Sequence, residues 1–533
     1  MAPHCLHRPE HHHIKDSDTM CKGMNTGSDT SLALAISLLP SLFLSVSPAH
    51  DLPMLALAAL EFEKHASPQN LPAHALRLCA DFNQSLSMNS PISMLPNYAI
   101  LPSGSEHGDF LVIDLGGLTL RVAVITIGKR TTSDSRAARQ ARISVVASRS
   151  WVVDNLRKIV SKAFFSWICK CIWETLASQK TVLPLALITT GITWSFPLES
   201  TSYNTANIFH MAKGFVVDAE IVGCDLKQLL ELAMLDSYGV SLNVQSIIND
   251  LLAVFSAARF LDAHTLLAMV LGTGVNFCCQ LAVLQQIAPD KRLREEHHVL
   301  FNTETSLFGR SLLPLFATKY DCAIDARFAD FSHFHPHMEV DPSTNTIFQP
   351  LELLSSGRYL PELARLVVVD MVAQKEIFAN QKNFSMLEHA YQGFTGELMC
   401  GISESDNDFS VAELVEKHFS WAPQLISLPD AANLRMLVDA ILGRAAYVLA
   451  VAIVAYVKLL TQHNGEFRDS QISIGYVGSV MEYFESLRNA VTRLVNECAD
   501  VADLGVFVSL ESINESSLVG TAIAAASQCN RSK

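Results

Sequence analysis

The chain has 533 residues, 49% of them hydrophobic and 17% charged, with a net charge of −14. A chain this long exceeds one ordinary core, so two or three lobes are expected. The acidic balance carries no domain-scale basic stripe, which excludes a nucleic-acid partner held by electrostatics.

Residues 1–50 read as a disordered or loosely packed N-terminal extension. His11, His12 and His13 stand in a row there, a pattern that fits a polar tail better than a metal site. Residues 31–46 are apolar but broken by Pro40. They are short for a membrane span and too far from the N-terminus for a signal peptide, which leaves a packed extension or an amphipathic anchor. Residues 51–93 form a helical lead-in to a large lobe, with apolar residues at helical spacing over 55–82.

Residues 110–113 and 120–127 are aliphatic, β-branched strands around a tight turn of Asp114, Gly116 and Gly117. The glycine pair is expected at φ > 0, with bare backbone N–H groups free to approach an anion. Residues 129–142 read as a solvated basic loop, and 156–176 as a core helix carrying Phe164, Phe165, Trp167 and Trp173. A buried strand is expected at 182–188, running into Thr193-Trp194-Ser195-Phe196-Pro197. Ala212-Lys213-Gly214-Phe215 follows, then a helix over 226–236 and a strand over 244–248 that ends in Asn249-Asp250. Residues 266–271 lead to a second glycine turn, Gly272-Thr273-Gly274. Past Glu304 the chain turns helical, including 358–372 and the long apolar run 434–460. Arg444 and Lys458 bracket too short a stretch in that run for a membrane span, which favours a buried helix. Late strands at 472–474 and 506–509 precede a small-residue helix at 519–526.

The 12 cysteines are scattered, among them Cys79, Cys224, Cys322 and Cys400. The nearest clusters, Cys169-x-Cys171 and Cys278-Cys279, lack zinc or redox spacing, and no metal site is expected. Reduced, mostly buried thiols in an intracellular, cytoplasmic protein are the reading.

Seven segments in order carry a resemblance. They are IDLGGLTLRV from Ile113, TWSFP from Thr193, AKGF from Ala212, IIND from Ile247, LGTGVN from Leu271, FNTETSLFG from Phe301 and LELLSSGRYLPE from Leu351. Their order and spacing resemble the eukaryotic hexokinase family over about residues 94–526. The resemblance implies an α/β, two-lobed, actin-like (ribonuclease H-like) sugar-kinase fold. Its small lobe would span 94–248 and its large lobe 249–533, with the last helix returning to the small lobe. A hexose of the glucose type would sit in the cleft between them.

Matched to the family's motifs, the sugar contacts are Ser195, Lys213, Asn249, Asp250, Asn276, Glu304 and Glu352. Acids and amides suit a polyol, because each can bond two hydroxyls and an unpaired buried polar group is costly. Asp250 matches the general base, and Lys213 the cation that steadies charge on the transferred phosphoryl group. The same match assigns ATP, carried with Mg²⁺, to Asp114, Gly116, Gly117, Thr119, Arg121, Gly272, Thr273, Gly274, Gly478 and Ser479.

Departures cluster on the nucleotide side. Leu118 and Thr119 replace Thr-Asn in DLGGTN, and Leu251 replaces the threonine of INDT. Phe277 stands where glycine follows GTGxN, and Tyr476-Val477-Gly478-Ser479 stands for ADGS. Ser516-Ser517-Leu518-Val519-Gly520 stands for GSGxG, with Leu118 and Leu518 expected to intrude on phosphate and adenosine. Thr305 and Ser306 replace the Trp-Gly of NTEWG, and Ala212 replaces a threonine on the sugar side. One lost neutral hydrogen bond is worth about 0.5–1.5 kcal/mol. Two readings therefore follow, an ATP-dependent hexose phosphotransferase and a catalytically weak or inactive sugar sensor acting on a regulatory protein partner.

Overall fold

The computed structural model describes residues 54–531 apart from 99–100, 131–132, 134, 179–186, 294–296, 332–333, 335–345 and 466–469. The expected extension over residues 1–50, with its histidine run and apolar stretch, lies outside the described residues. So does most of the strand expected at 182–188; the observed strand is Ile188–Trp194.

Two sheets are built on one plan. The first orders its strands Leu242–Ile248, Ile188–Trp194, Gly108–Leu115, Thr119–Ile127 and Ile143–Val152. The last three form an antiparallel meander, and the first two add in parallel. The second sheet has the same plan, running from its meander end: His298–Asn302, Val275–Ala282, Thr265–Leu271, then Gln471–Val477 and Phe507–Ser512 in parallel. A short strand, Leu95–Asn97, adds antiparallel to its His298–Asn302 edge. That pairing puts residues 95–97 in the larger lobe, so the lobe boundary expected at residue 94 falls after them.

Side-chain alternation sorts the first sheet into two cores. Leu111, Ile113 and Leu115 face the helices Lys162–Ala177 and Leu226–Tyr238. Phe110 and Val112 face the helices Asp250–Leu261 and Ser516–Arg531, which lie between the sheets and also meet Ala268, Cys278 and Leu300 of the second sheet. Small residues permit that sandwich. A Cβ on Gly520 would come 1.9 Å from the Ala253 carbonyl oxygen, and one on Gly191 2.7 Å from that of Thr521.

The outer face of the second sheet is covered by the 37-residue helix Leu428–Asn464. Its most apolar stretch is almost wholly buried, as expected of a core helix rather than a membrane span. Arg444, at its middle, is fully buried and holds both carboxylate oxygens of Asp321 at 2.7 and 2.9 Å.

Two local expectations fail. The helix expected over 55–82 is two, Met54–Glu63 and Leu71–Ser87, parted at Ser67-Pro68 because proline lacks the N–H a helix interior needs. The basic loop is not simply solvated. Arg139 and Arg142 are buried, donating to the Phe260 carbonyl at 2.8 Å and the Gly104 carbonyl at 2.6 Å.

Candidate active site

The Asp250–Leu261 helix begins where its parallel strand ends, at the edge of the first sheet. Asn249 caps it, its side-chain oxygen accepting the Leu252 N–H at 2.8 Å, which leaves the side-chain NH₂ for a ligand. Asp250 is open to solvent on one side yet ringed by protein, the position of a residue on a cleft floor. Burial pushes its carboxyl above the usual range; the Lys213 charge opposes that, and Asp114 adds to it.

Lys213 reaches this point from the other wall. Its Nζ donates to the Ser195 carbonyl at 3.2 Å and lies 5.3 Å from the centre of the Phe196 ring. Its backbone is left-handed at φ +60°, and its side chain crosses Gly117 so closely that a Cβ there would stand 2.7 Å from Lys213 Cδ. Gly117 is thus required for room, not for φ. Neither Gly116 nor Gly117 adopts positive φ, contrary to the hairpin expectation.

Glu304 sits opposite, at φ +52° and ψ +50°. Asn302 donates to its carboxylate at 2.7 Å, and Asn276 Nδ2 donates to Asn302 Oδ1 at 2.9 Å. Burial raises the Glu304 carboxyl, Asn302 lowers it, and the Asp250 charge raises it again. Glu352, in the first turn of Pro350–Ser355, is raised by burial, lowered by the Val275 N–H and Arg358, and raised by Glu304. A Cβ on Gly274 would be 2.5 Å from a Glu352 oxygen. One continuous set therefore runs Ser195, Lys213, Asp250, Glu304, Glu352. Asn276 belongs to it as a brace, its Oδ1 accepting the N–H groups of Phe277 and Thr305.

On the nucleotide side, Asp114 is buried and paired with Arg121, Oδ2 to Nη2 at 2.7 Å, and it accepts the Ser517 hydroxyl at 2.9 Å. Arg121 also meets Glu515 at 3.3 Å. Thr119 and Thr273 are exposed. The two late glycine turns abut, since a Cβ on Gly272 would lie 3.6 Å from the Ser479 nitrogen and 3.7 Å from Gly478 Cα. Gly478 itself stands at φ +113°, where a Cβ would strike the Leu271 carbonyl oxygen at 2.3 Å. Two of the expected anion donors are spent inside turns, the Gly116 N–H on the Thr119 carbonyl and the Gly272 N–H on the Gly274 carbonyl.

One expected intrusion is absent: Leu518 is buried in the core between the sheets rather than aimed at a ligand. Phe277, in place of the usual glycine, is buried in a stack on Tyr456. Leu118, at 70% exposed, does stand at the hairpin tip.

Family models described as Hexokinase match residues 56–260 and 266–527. This chain belongs to the hexokinase family. N-acetylglucosamine kinase 1 of Candida albicans is 45% identical over 466 residues, covering 87% of this chain and 92% of its own. Glucokinase-1 of Saccharomyces cerevisiae is 26% identical over 465 residues, covering 83% and 89%. A solved Schistosoma mansoni hexokinase complexed with glucose shares the fold at TM-score 0.65 and 19% identity, covering 89% of this chain and 99% of that one. The two-lobed sugar-kinase fold and the phosphotransferase class follow.

Reading this hexokinase from sequence missed Asn302, Ser517 and Glu515. Asn302 was legible in principle, one residue before the Thr-Glu of its motif. Ser517 lies inside a segment that reads as degraded, and only the return of the last helix to the hairpin brings its hydroxyl to Asp114.

Proposed function

We propose that this hexokinase transfers the γ-phosphoryl group of ATP, carried with Mg²⁺, to the 6-hydroxyl of a hexose, with N-acetylglucosamine the preferred acceptor. The carrying observation is the run Lys213, Asp250, Glu304, Glu352 across one cleft, each carboxyl feeling the next. The acceptor preference is supported by the Candida albicans relative, an N-acetylglucosamine kinase at 45% identity against 26% for the yeast glucokinase.

In this reading Asp250 takes the proton from the attacking hydroxyl. Its raised pKa brings it nearer neutrality, where a general base works best. Lys213 holds Asp250 ionised and steadies the phosphoryl oxygens. Glu304, Glu352 and the Asn249 amide orient the ring hydroxyls. The abutting turns at Gly272–Gly274 and Gly478–Ser479 are where the phosphate chain lies in this scheme, with Thr273 exposed between them. Asp114, held by Arg121 and Ser517, would be the acid that receives Mg²⁺ with the nucleotide. A cytoplasmic site of action belongs to the same proposal and is supported by the ten free cysteines among the described residues.

ADP release with N-acetylglucosamine, glucose, mannose and fructose as acceptors, and NMR of the product, test this. Formation of N-acetylglucosamine 6-phosphate, with kcat/KM at least about tenfold above glucose, is expected, a gap of ~1.4 kcal/mol. Equal or reversed ratios overturn the acceptor. Calorimetric sugar binding without turnover overturns the enzyme and leaves the sensor reading.

A further inference from the structure

Tyr456 lies well inside the long helix Leu428–Asn464 and is wholly buried. Its ring stacks with Phe82 (centroids 4.6 Å, interplanar 21°) and with Phe277 (5.1 Å, 27°). That stack carries one hydroxyl through the core to the turn holding Glu304. Tyr456 Oη donates to Thr303 Oγ1 at 2.8 Å, and Thr303 Oγ1 donates to the Phe277 carbonyl at 2.7 Å. Thr305 Oγ1 then donates to Tyr456 Oη, which satisfies all three hydroxyls.

Glu304 stands between those two threonines in a left-handed conformation that a glutamate rarely adopts. Such a backbone persists only where its surroundings over-determine it, and it recurs at functional sites. Here the surroundings are the hydroxyl cluster on one side and Asn276, accepting the Thr305 N–H at 3.2 Å, on the other. Thr305 and Phe277 stand where the hexokinase motifs carry tryptophan and glycine, and both are fully buried.

We propose that Tyr456 is a positioning residue for the acceptor sugar, its hydroxyl pinning Thr303 and Thr305 and so fixing the aim of the Glu304 carboxylate. The inference rests on the sugar-binding reading of that cleft. It concerns a residue of the core helix, remote in sequence from every motif segment.

Tyr456→Phe keeps the ring stack and removes only the hydroxyl. In the full-length protein, KM and calorimetric Kd for the acceptor sugar should rise roughly three- to tenfold, the effect of one hydrogen bond. KM for ATP-Mg should stay at the parental value. Thr305→Val should reproduce the effect and carries the same test if Tyr456→Phe does not fold. In a Glu304→Gln background the tyrosine substitution should add little, because the two act through one carboxylate. A lowered Tm with parental sugar KM and Kd makes the hydroxyl merely structural and overturns the proposal. A full effect retained in the Glu304→Gln background overturns the route through Glu304. A parent protein that binds no sugar overturns the proposed function as well, whereas equal binding by parent and variant overturns the positioning role alone.

Discussion

Asp250 shows how one residue serves two opposed demands. Burial raises its carboxyl above the unfolded value, so the protonated form is the one that folding favours. Stability from this group is fully present at low pH and is lost as pH rises through the raised value. At pH 7 Asp250 therefore destabilises the sugar-free protein. Asp250→Asn should raise Tm at pH 7, with the gain gone near pH 4, while turnover falls by about 10²–10⁴-fold. Thermal melts across that range check the first part, and an unchanged Tm at pH 7 counts against the burial account. As the proposed base Asp250 works only when ionised, so the acid limb of kcat/KM should lie above the ordinary aspartate value of about 4. Glu304 and Glu352, raised by the same cause, add to that limb. The identities of these three acids were legible in the sequence. Their electrostatic coupling was not, since it depends on distances across a cleft between segments 54 and 48 residues apart in the chain.

Among the elements, the helix of Asp250 and the last helix cross at a glycine. Gly520→Ala would push a methyl group into the Ala253 carbonyl, 1.9 Å from the ideal Cβ. The helices must then separate, at a cost of about 1–3 kcal/mol for overpacking. Urea unfolding should show the loss, and kcat should fall too, because Asp250 and Ser517 ride on the displaced helices. A parental midpoint would show that the crossing yields freely. The glycines also mark where sequence and structure part. Gly116 and Gly117 read as hairpin glycines chosen for φ, but Gly117 is there to let Lys213 pass. The helix split at Ser67-Pro68 was signalled by its proline. The burial of Arg139 and Arg142 in a basic run was not, because their carbonyl partners lie up to 121 residues away.

For the whole molecule, two sheets of one topology share a layer of two helices, and the proposed site is divided between them. Lys213 and Ser195 belong to the first lobe, while Glu304 and Glu352 belong to the second. A sugar bridging the set binds the folded protein alone and stabilises it by mass action, about 2.7 kcal/mol at 100 times Kd. N-acetylglucosamine should therefore raise Tm by several degrees in a concentration-dependent way, and Glu304→Gln should blunt the shift. A shift that survives Glu304→Gln undiminished places the sugar elsewhere.

The family and the acids and amides of the proposed site were legible in the sequence, because ordered motifs are a property of local pattern, whereas the strands Ile143–Val152, Val275–Ala282 and His298–Asn302 emerged only in the fold. Tertiary structure alone decided how the substitutions act. Leu518 read as an intruder until packing buried it, and Ser517 read as a relic until the last helix carried it to Asp114. The physical reason is the same in each case: whether a side chain obstructs, braces or binds depends on which face of its element meets which neighbour, and here those neighbours come from distant parts of the chain.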